Sequence, residues 1–397
     1  MNQRALTISC YIGYFLIGVI GLVYAPALPL MIDNFGITLV AAGAIFPAKS
    51  IGSLIGSPLG GRLSDYWGRK PVVLWGCVIQ GVALAMIALC SQWWMVLALF
   101  ALAGIGGGFV NIPLNALISD INPHRRGAAL NTLHALFGLG SLVGPLLVGF
   151  VLSLQVSWQA VFCAVAGFWL LYGLLMATQK FPQTQGQSRA GRSRTQQSTV
   201  ALSDLLRHPV FLLLLSIAFV YNGLAHGLVG WLNTYMDSLD FSVLVGSGLV
   251  SLFYLGLTTG RFTCRVYSDS LGYSKVLLLC ALGSVIFYPL AVLATSPLLI
   301  ALGVTLAGFS LSGLYPTGLA YVNTLFPDGA GTTIGVMSVA MSTGATALPW
   351  LIGVLAETRG FRFGLGLGAV TALWLLIAAL WVRALEQRVH RPTGVAG

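Results

Sequence analysis

Long apolar runs separated by short polar gaps dominate this chain. Twelve runs reach about 20 residues, the length that an α-helix needs to cross the hydrocarbon core of a bilayer. They lie near Thr7–Met31, Thr38–Gly61, Pro71–Cys90, Trp94–Ile118, Gly127–Leu152, Trp158–Ala177, Pro209–Asn233, Phe241–Arg265, Ser274–Ala294, Pro297–Thr324, Gly331–Leu355 and Phe361–Val382. The pattern predicts an all-α membrane protein with twelve transmembrane helices.

One polar gap is longer than the others. Residues 179–208 are rich in Gln, Ser, Thr and Arg, a composition typical of a flexible linker. Six apolar runs precede this gap and six follow it. The sequence therefore predicts an N-terminal six-helix bundle (residues 1–178), a cytoplasmic linker (179–208) and a C-terminal six-helix bundle (209–397).

The two halves repeat each other at a fixed offset. Asp269 follows Asp65 by 204 positions, and the same offset relates a series of glycines and prolines. The pairs include Gly68 with Gly272, Gly140 with Gly344, Pro145 with Pro349, and Gly149 with Gly353. A repeat of this kind predicts two bundles related by pseudo-twofold symmetry, with a substrate path between them near the middle of the bilayer.

Composition and charge support a membrane location. The hydrophobic fraction is 57% and the charged fraction is 8%, against about 25% charged residues in soluble domains. The net charge of +10 comes mostly from Lys and Arg in the short gaps, where they set orientation and do not form a nucleic-acid surface. We expect a multi-pass protein of the bacterial inner membrane, with both termini in the cytoplasm and no nucleic-acid partner.

The gap after the second run carries a motif. The segment Gly61-Arg62-Leu63-Ser64-Asp65-Tyr66-Trp67-Gly68-Arg69-Lys70-Pro71 resembles the signature loop of major facilitator superfamily transporters. A weaker copy, Asp269-Ser270-Leu271-Gly272, stands at the matching place in the second half. Asp65 suits a cytoplasmic latch, because a carboxylate can pair with cations or with a helix N-terminus. The latch residues are predicted to be Gly61, Asp65, Gly68, Arg69, Lys70 and Asp269.

Glycine and proline recur inside the fifth and eleventh runs. Gly140, Gly144 and Pro145 resemble a Gly-Pro motif of antiporters, and Gly344 and Pro349 repeat the arrangement. Small residues allow helices to approach closely, and proline bends a helix. These five residues are predicted to serve packing and hinge motion.

Three segments resemble, more loosely, the fucose and sodium-glucose porter branch of that superfamily. They lie around Gly104–Asn115, Asn131–Gly138 and Tyr221–Tyr235. The chain has Ala225 and Asn111 where that branch has acidic residues, and no Asp or Glu falls in the middle of a run. Proton or sodium coupling usually relies on such a carboxylate. His134 and His226 are therefore the candidate coupling residues, and uniport or exchange stays open.

Two basic residues fall inside the apolar runs. Lys49 lies sixteen residues before Asp65, or about 24 Å along a helix at 1.5 Å per residue. Arg261 lies eight residues before Asp269, or about 12 Å inside the membrane by the same measure. Each could bind an anionic or polyhydroxyl substrate. Each could also extend to water without a specific role.

Polar and aromatic side chains within the runs complete the predicted binding site. The full set is Lys49, Asn111, Asn115, Tyr221, Asn222, His226, Trp231, Tyr254, Arg261 and Tyr315. Amide and hydroxyl groups beside aromatic faces suit a sugar-like ligand, although such residues also join helices to one another.

The predicted function is transport. The sequence has no metal-ligand spacing, phosphate-binding loop or nucleophile arrangement, so we expect neither an enzyme nor a bound metal or cofactor. The leading hypothesis is a monomeric secondary active or facilitative transporter that moves a small polar organic solute, sugar-like or anionic, by alternating access. The alternatives are a multidrug efflux antiporter and a non-transporting membrane sensor on the same fold.

Overall fold

The computed structural model describes residues 3–182, 202–326 and 330–390, which form α-helices and contain no strand. The helices are α1 (Gln3–Gly21), α2 (Tyr24–Phe35), α3 (Leu39–Gly43), α4 (Ile45–Trp67), α5 (Arg69–Ile87), α6 (Trp93–Ile121), α7 (Arg126–Ser153), α8 (Trp158–Thr178), α9 (Leu202–Arg207), α10 (Pro209–Asp237), α11 (Val243–Leu271), α12 (Tyr273–Leu293), α13 (Pro297–Leu311), α14 (Leu314–Leu325), α15 (Ala330–Arg359) and α16 (Phe361–His390).

Twelve segments have the length and composition of membrane spans, one for each predicted apolar run. Nine of them are single helices. Three consist of two consecutive helices, namely Gln3–Phe35, Leu39–Trp67 and Pro297–Leu325. The predicted all-α fold with twelve transmembrane helices is confirmed, and the interruptions of three spans are an addition to it.

Proline accounts for the break between α1 and α2. A proline has no N–H, and its ring clashes with the carbonyl four residues earlier. For Pro26 that carbonyl belongs to Leu22. The amide of Ala25 donates to Leu22 at 3.1 Å, a contact one residue shorter than the α-helical one. The carbonyl of Gly21, which would accept from the Ala25 amide in a continuous α-helix, is left for another donor.

The other two breaks follow the same rule. Helix α3 ends at Gly43, four residues before Pro47. Helix α13 ends at Leu311, and the residue after it, Ser312, stands four positions before Pro316. Each interruption thus has a proline at the matching distance, but Pro113, Pro145, Pro289 and Pro349 lie inside uninterrupted helices, so proline alone does not decide where a span breaks.

The two copies of the signature loop use the same turn. Gly68 and Gly272, which are 204 residues apart, have φ values of 85° and 84° and immediately precede α5 and α12. Glycine adopts this left-handed conformation at little cost, whereas other residues resist it. The internal repeat read from the sequence thus reappears in the backbone.

Helix packing repeats in the same register. A side chain at Gly140 would overlap the carbonyl of Phe15, and a side chain at Gly344 would overlap the carbonyl of Phe219. Both the glycines and their partners differ by 204 positions. Each half therefore brings its first and fifth spans together at the corresponding glycine, as small residues allow in membranes.

The described residues group into two compact units. The first comprises those within Met1–Thr195 together with Gly230–Ser251, and the second comprises those within Gln196–Val229 and Leu252–Gly397. Helices α10 and α11 each contribute to both units. The predicted domain boundaries at residues 178 and 209 stay a prediction.

Most of the predicted linker, residues 183–201, lies outside the described residues. Its last part forms the short helix α9, with Asp204 in the first turn and Arg207 in the last turn, as the helix dipole favours. Leu205 of this helix is fully buried. Burial of that leucine explains local order in a segment that composition alone predicted to be a flexible linker.

Candidate functional site

The Lys49 side chain contacts the backbone where the first span is interrupted, between α1 and α2. Its ammonium group donates to the carbonyl of Gly21 at 2.5 Å and lies 4.9 Å from the centre of the Tyr24 ring. The carbonyl is the one that the Pro26 break released, and the ring face attracts a cation. The lysine is therefore held by its own bundle, with its positive charge fixed next to the interrupted helix.

Removing this ammonium group should loosen the break. We expect Lys49→Met to speed amide hydrogen exchange of residues 19–25 about tenfold, since a hydrogen bond to a charged group stabilises by about 1.5–3 kcal/mol. Lys275→Met is the matched control, because Lys275 is exposed at the start of α12. Equal exchange in both variants would show that Lys49 does not hold the break.

Three predicted residues of the first half come together around a fourth residue, Tyr14. The Tyr14 hydroxyl donates to the side-chain oxygen of Asn111 at 3.0 Å. The amide of Asn115 donates to the same oxygen at 2.9 Å and also to the Tyr14 hydroxyl. The His134 ring meets the Tyr14 ring edge-on, with 5.6 Å between centroids. These contacts connect α1, α6 and α7 through polar groups.

Four predicted residues of the second half form another cluster. The guanidinium of Arg261 donates to the Tyr221 hydroxyl at 3.4 Å. The Tyr221 ring stacks on the Tyr315 ring, with 6.4 Å between centroids and 5° between planes. Tyr254 lies close enough to interact electrostatically with both Tyr221 and Arg261. We call these four residues the arginine–tyrosine cluster.

The charge in this cluster has no acidic neighbour. Arg261 is exposed, and among the residues that the structure describes it forms no ion pair with a carboxylate. An uncompensated cation within a membrane span is costly and commonly marks a functional site. The arrangement can offer a planar guanidinium and tyrosine hydroxyls to an anion.

Asn222 and His226 lie one turn apart on α10. The Asn222 amide donates to the carbonyl of Met341 on α15 at 2.9 Å. A ring nitrogen of His226 lies 3.0 Å from the Asn222 carbonyl, which accepts when that nitrogen carries the proton. Asn222 thus joins α10 to α15, which is the helix-joining role that the sequence analysis left open for these residues.

The two clusters occupy related positions in the repeat. Tyr315 is 204 residues after Asn111, and Ser338 is 204 residues after His134. In the second half the side chains of Tyr315 and Ser338 are hydrogen-bonded to each other. Corresponding faces of the fourth and tenth spans, and of the fifth and eleventh, therefore carry the polar groups.

Trp231 packs among aromatic side chains of the first compact unit. It is fully buried, in the first compact unit, and its ring centroid is 5.7 Å from that of Phe46. Phe46 in turn meets the Tyr24 ring, over which the Lys49 ammonium group lies, so Trp231 joins the aromatic group beside that lysine.

The signature loop makes contacts within the first unit. Arg69 forms an ion pair with Asp120 at the end of α6, with 2.5 Å between nitrogen and oxygen. Lys70 donates to the carbonyls of Ala177 and Gln179, at 2.6 and 2.9 Å. Two of the predicted latch residues therefore join the start of α5 to the ends of α6 and α8.

The remaining predicted latch residues are Gly61, Asp65 and Asp269. Asp65 is exposed and forms no ion pair within the described ranges. A side chain added at Gly61 would begin at ordinary contact distance from the Ile112 side chain. Asp269 stands two residues before the end of α11, and its side chain lies outside what the structure describes. A latch centred on Asp65 stays a prediction.

Carboxylates keep to the ends of the helices. Each Asp or Glu that the structure describes lies between helices, in short α9, or within five residues of a helix end. Asp328 falls outside these residues. Among the same residues no three His, Cys, Asp or Glu side chains gather as metal ligands.

Two contributing residues escaped the sequence analysis. Tyr14 shares a helix face with Cys10 and Gly18, and this line of buried residues was the signal that could have found it. Asp120 was recognised only as a carboxylate at the end of a span. Its pairing with Arg69 depends on how α5 packs against α6, which no local pattern encodes.

Twelve spans in two repeated halves, with polar and cationic side chains inside them, define a membrane transport protein. The chain belongs to the Major Facilitator Superfamily, whose family model matches residues 10–266 and 247–397. The superfamily resemblance of the signature loop is therefore confirmed. The looser resemblance to the fucose and sodium-glucose branch stays a prediction.

Relatives match over most of the chain. An uncharacterised MFS-type transporter, YfkL, of Bacillus subtilis is 25% identical over 385 residues, covering 92% of this chain and 94% of the relative. The multi-drug resistance efflux pump PmrA of Streptococcus pneumoniae is 26% identical over 326 residues, 80% of each. The cis,cis-muconate transport protein of Acinetobacter baylyi is 27% identical over 370 residues, 90% of this chain and 88% of the relative.

A solved structure shares the fold. A bacterial homologue of the human lysosomal transporter Spinster, in an inward-facing and unoccupied conformation, matches with a TM-score of 0.79 at 16% identity. The match covers 97% of both chains. The relatives named above are transport proteins, and they lend no support to the alternative of a non-transporting sensor.

Proposed function

We propose that this transporter moves a small organic anion that carries a carboxylate. The observation that carries the proposal is the arginine–tyrosine cluster, in which Arg261 stands inside a span without an acidic neighbour among the described residues. A carboxylate would neutralise the guanidinium and could accept two parallel hydrogen bonds from it. The Tyr221 hydroxyl adds a further polar group beside the same site.

Lys49 is a separate positively charged candidate within the first compact unit. Its ammonium group donates to one backbone carbonyl, Gly21, and an ammonium has three N–H groups to donate. A second donor can therefore serve a substrate without releasing the break in span one. Similarity to the muconate transport protein, whose name describes a dicarboxylate, favours the same class of substrate.

Efflux of lipophilic compounds is the second candidate. It is favoured by the similarity to the efflux pump PmrA and by the stacked rings of Tyr221 and Tyr315. Lipophilic cations would call for a carboxylate within the spans, and the described carboxylates keep to helix ends. For this reason we place the organic anion first.

Proton coupling is part of the proposal, with His134 as the first candidate. Its ring lies against Tyr14, whose hydroxyl belongs to the asparagine network of the first half. A histidine titrates near neutral pH, so this network can change its charge in the physiological range. We further propose a monomer in the bacterial inner membrane with both termini in the cytoplasm, as the Lys and Arg of the short gaps favour.

Uptake by proteoliposomes tests the substrate class. The panel consists of a monocarboxylate, a dicarboxylate, a neutral sugar, a sugar acid and a lipophilic cation, each with proton and sodium gradients imposed separately. We expect saturable carboxylate uptake that is inhibited by other carboxylates. The neutral sugar and the lipophilic cation should not inhibit it. Saturable movement of the cation alone would contradict the proposal and favour efflux, and movement of the neutral sugar alone would favour a sugar carrier.

A further inference from the structure

Two cysteines stand opposite each other in one helical hairpin. Gly272 forms the turn between α11 and α12, and Cys264 and Cys280 lie eight residues before and after it. Eight residues correspond to about 12 Å of helix. Antiparallel neighbours joined by so short a turn bring positions at equal distance from it to the same depth.

The two sulfur atoms lie close together. The two sulfurs lie 2.6 and 2.7 Å from the point where a side chain on Gly313 would begin, and hence no more than about 5.3 Å apart, the sum of these distances. Both thiols thus occupy the space that the missing side chain of Gly313 leaves.

The first half packs the same place differently. The positions 204 residues earlier are Gly60, Gly76 and Phe109, so two glycines there flank a large residue. A side chain on Gly76 would begin 2.8 Å from the Phe109 Cβ atom, and one on Gly60 would begin 3.0 Å from the Phe109 Cα atom. In the second half Cys264 and Cys280 fill the volume that Phe109 fills in the first half. Filling that volume does not require that both residues be cysteine.

A small molecule can reach this pair. A cavity of about 200 Å³ is lined by Cys264, Cys280, Thr263, Tyr267 and Ser310, together with apolar side chains. A water molecule takes about 30 Å³ of liquid volume, so a peroxide fits. Cys264 is partly exposed, whereas Cys280 is buried behind it. Cys264 can therefore react with peroxide first, and Cys280 can then react with the oxidised Cys264 sulfur.

We propose that Cys264 and Cys280 are a peroxide-sensitive dithiol that closes to a reversible intramolecular disulfide. The Cys264 sulfur attacks hydrogen peroxide and becomes a sulfenic acid, with the peroxide O–O bond broken and one water released. The Cys280 sulfur then displaces the hydroxyl group as a second water, forming the S–S bond. The two thiols lose two hydrogens, the peroxide is reduced, and an external dithiol reverses the reaction. The disulfide would link α11 to α12 about one helical turn from Arg261.

Peptide mapping of the intact protein tests this pair. Trypsin cleaves after Arg265 and Lys275 in the unfolded chain, which places Cys264 and Cys280 on separate peptides. After peroxide treatment of membranes and trapping of free thiols, we expect most chains to yield these peptides joined by a disulfide. The joined species should disappear with dithiothreitol and be absent from the variants Cys264→Ser and Cys280→Ser.

Another cysteine, Cys163, serves as the reference for the results that would overturn the proposal. Cys163 is exposed, so it reports the peroxide dose that oxidises an accessible thiol. The proposal is overturned if Cys264 and Cys280 stay free at that dose. It is also overturned if Cys264 proceeds to sulfinic acid while Cys280 stays free, or if joined peptides pair either cysteine with Cys163. None of these outcomes depends on the transported substrate.

Discussion

Arg261→Ala is expected to lower carboxylate uptake by about 10- to 100-fold. A hydrogen bond to a charged group stabilises by about 1.5–3 kcal/mol, and 1.4 kcal/mol corresponds to about a tenfold change. The loss should fall on binding of the anion, because the guanidinium at Tyr221 is the uncompensated charge of the arginine–tyrosine cluster. Initial uptake rates in proteoliposomes, measured over a range of substrate concentrations, give the effect.

Two further variants sharpen this prediction. Arg261→Lys keeps the charge but loses the planar fork, so we expect uptake between that of Arg261→Ala and that of the unchanged protein. Arg359→Ala is the matched control, since Arg359 lies at the end of α15 against the Phe363 ring. Normal carboxylate uptake by a well-folded Arg261→Ala variant would refute the assignment of the anion site.

Gly344→Leu is expected to produce the largest loss of stability. The added side chain would overlap the carbonyl of Phe219, which belongs to the backbone and cannot rotate away. Helices α10 and α15 must then separate, and overpacking of this kind costs about 1–3 kcal/mol. The thermal unfolding temperature in detergent measures the loss, and Gly140→Leu should lower it similarly at the corresponding contact with Phe15.

The control for this prediction lies on the same helix. Gly335 stands nine residues before Gly344 on α15 and has open space where a side chain would begin. Gly335→Leu carries the same helix propensity change without the overlap. Equal unfolding temperatures for Gly335→Leu and Gly344→Leu would mean that close approach of α10 and α15 does not limit stability.

Both predictions bear on how the two halves of the repeat differ. Their packing glycines, Gly140 and Gly344, make the same contact, so the scaffold is shared. The chemistry is not shared, because Asn111 is replaced by Tyr315 at the related position. The first unit thus carries an amide network and the second carries the arginine–tyrosine cluster.

The sequence by itself determined the twelve spans, the repeat and the superfamily. Each depends on a signal that is local or periodic along the chain: apolar length, a constant offset of 204, and the residues Gly61 to Pro71. Backbone hydrogen bonds must be satisfied inside the segment in a bilayer, so a long apolar run has essentially one available structure. The carboxylates at span ends were predictable for the same reason, since charge is costly within hydrocarbon.

Three helix breaks were not predicted. Pro26, Pro47 and Pro316 each remove the N–H that would donate to the carbonyl four residues earlier in a regular α-helix. The apolar length of the spans concealed them. Proline positions alone would not have identified these interruptions, because Pro113, Pro145, Pro289 and Pro349 lie inside uninterrupted helices.

Only the tertiary structure decided which side chains meet. Lys49 with Gly21, Arg261 with Tyr221, and Tyr14 with Asn111 are pairs from different helices. Whether two such residues touch depends on the rotation, depth and neighbours of each helix, which are set by packing across the bundle and not by spacing along the chain. The sequence therefore named most of the polar residues inside the spans, and the fold showed which of them contact one another, which join helices and which are buried.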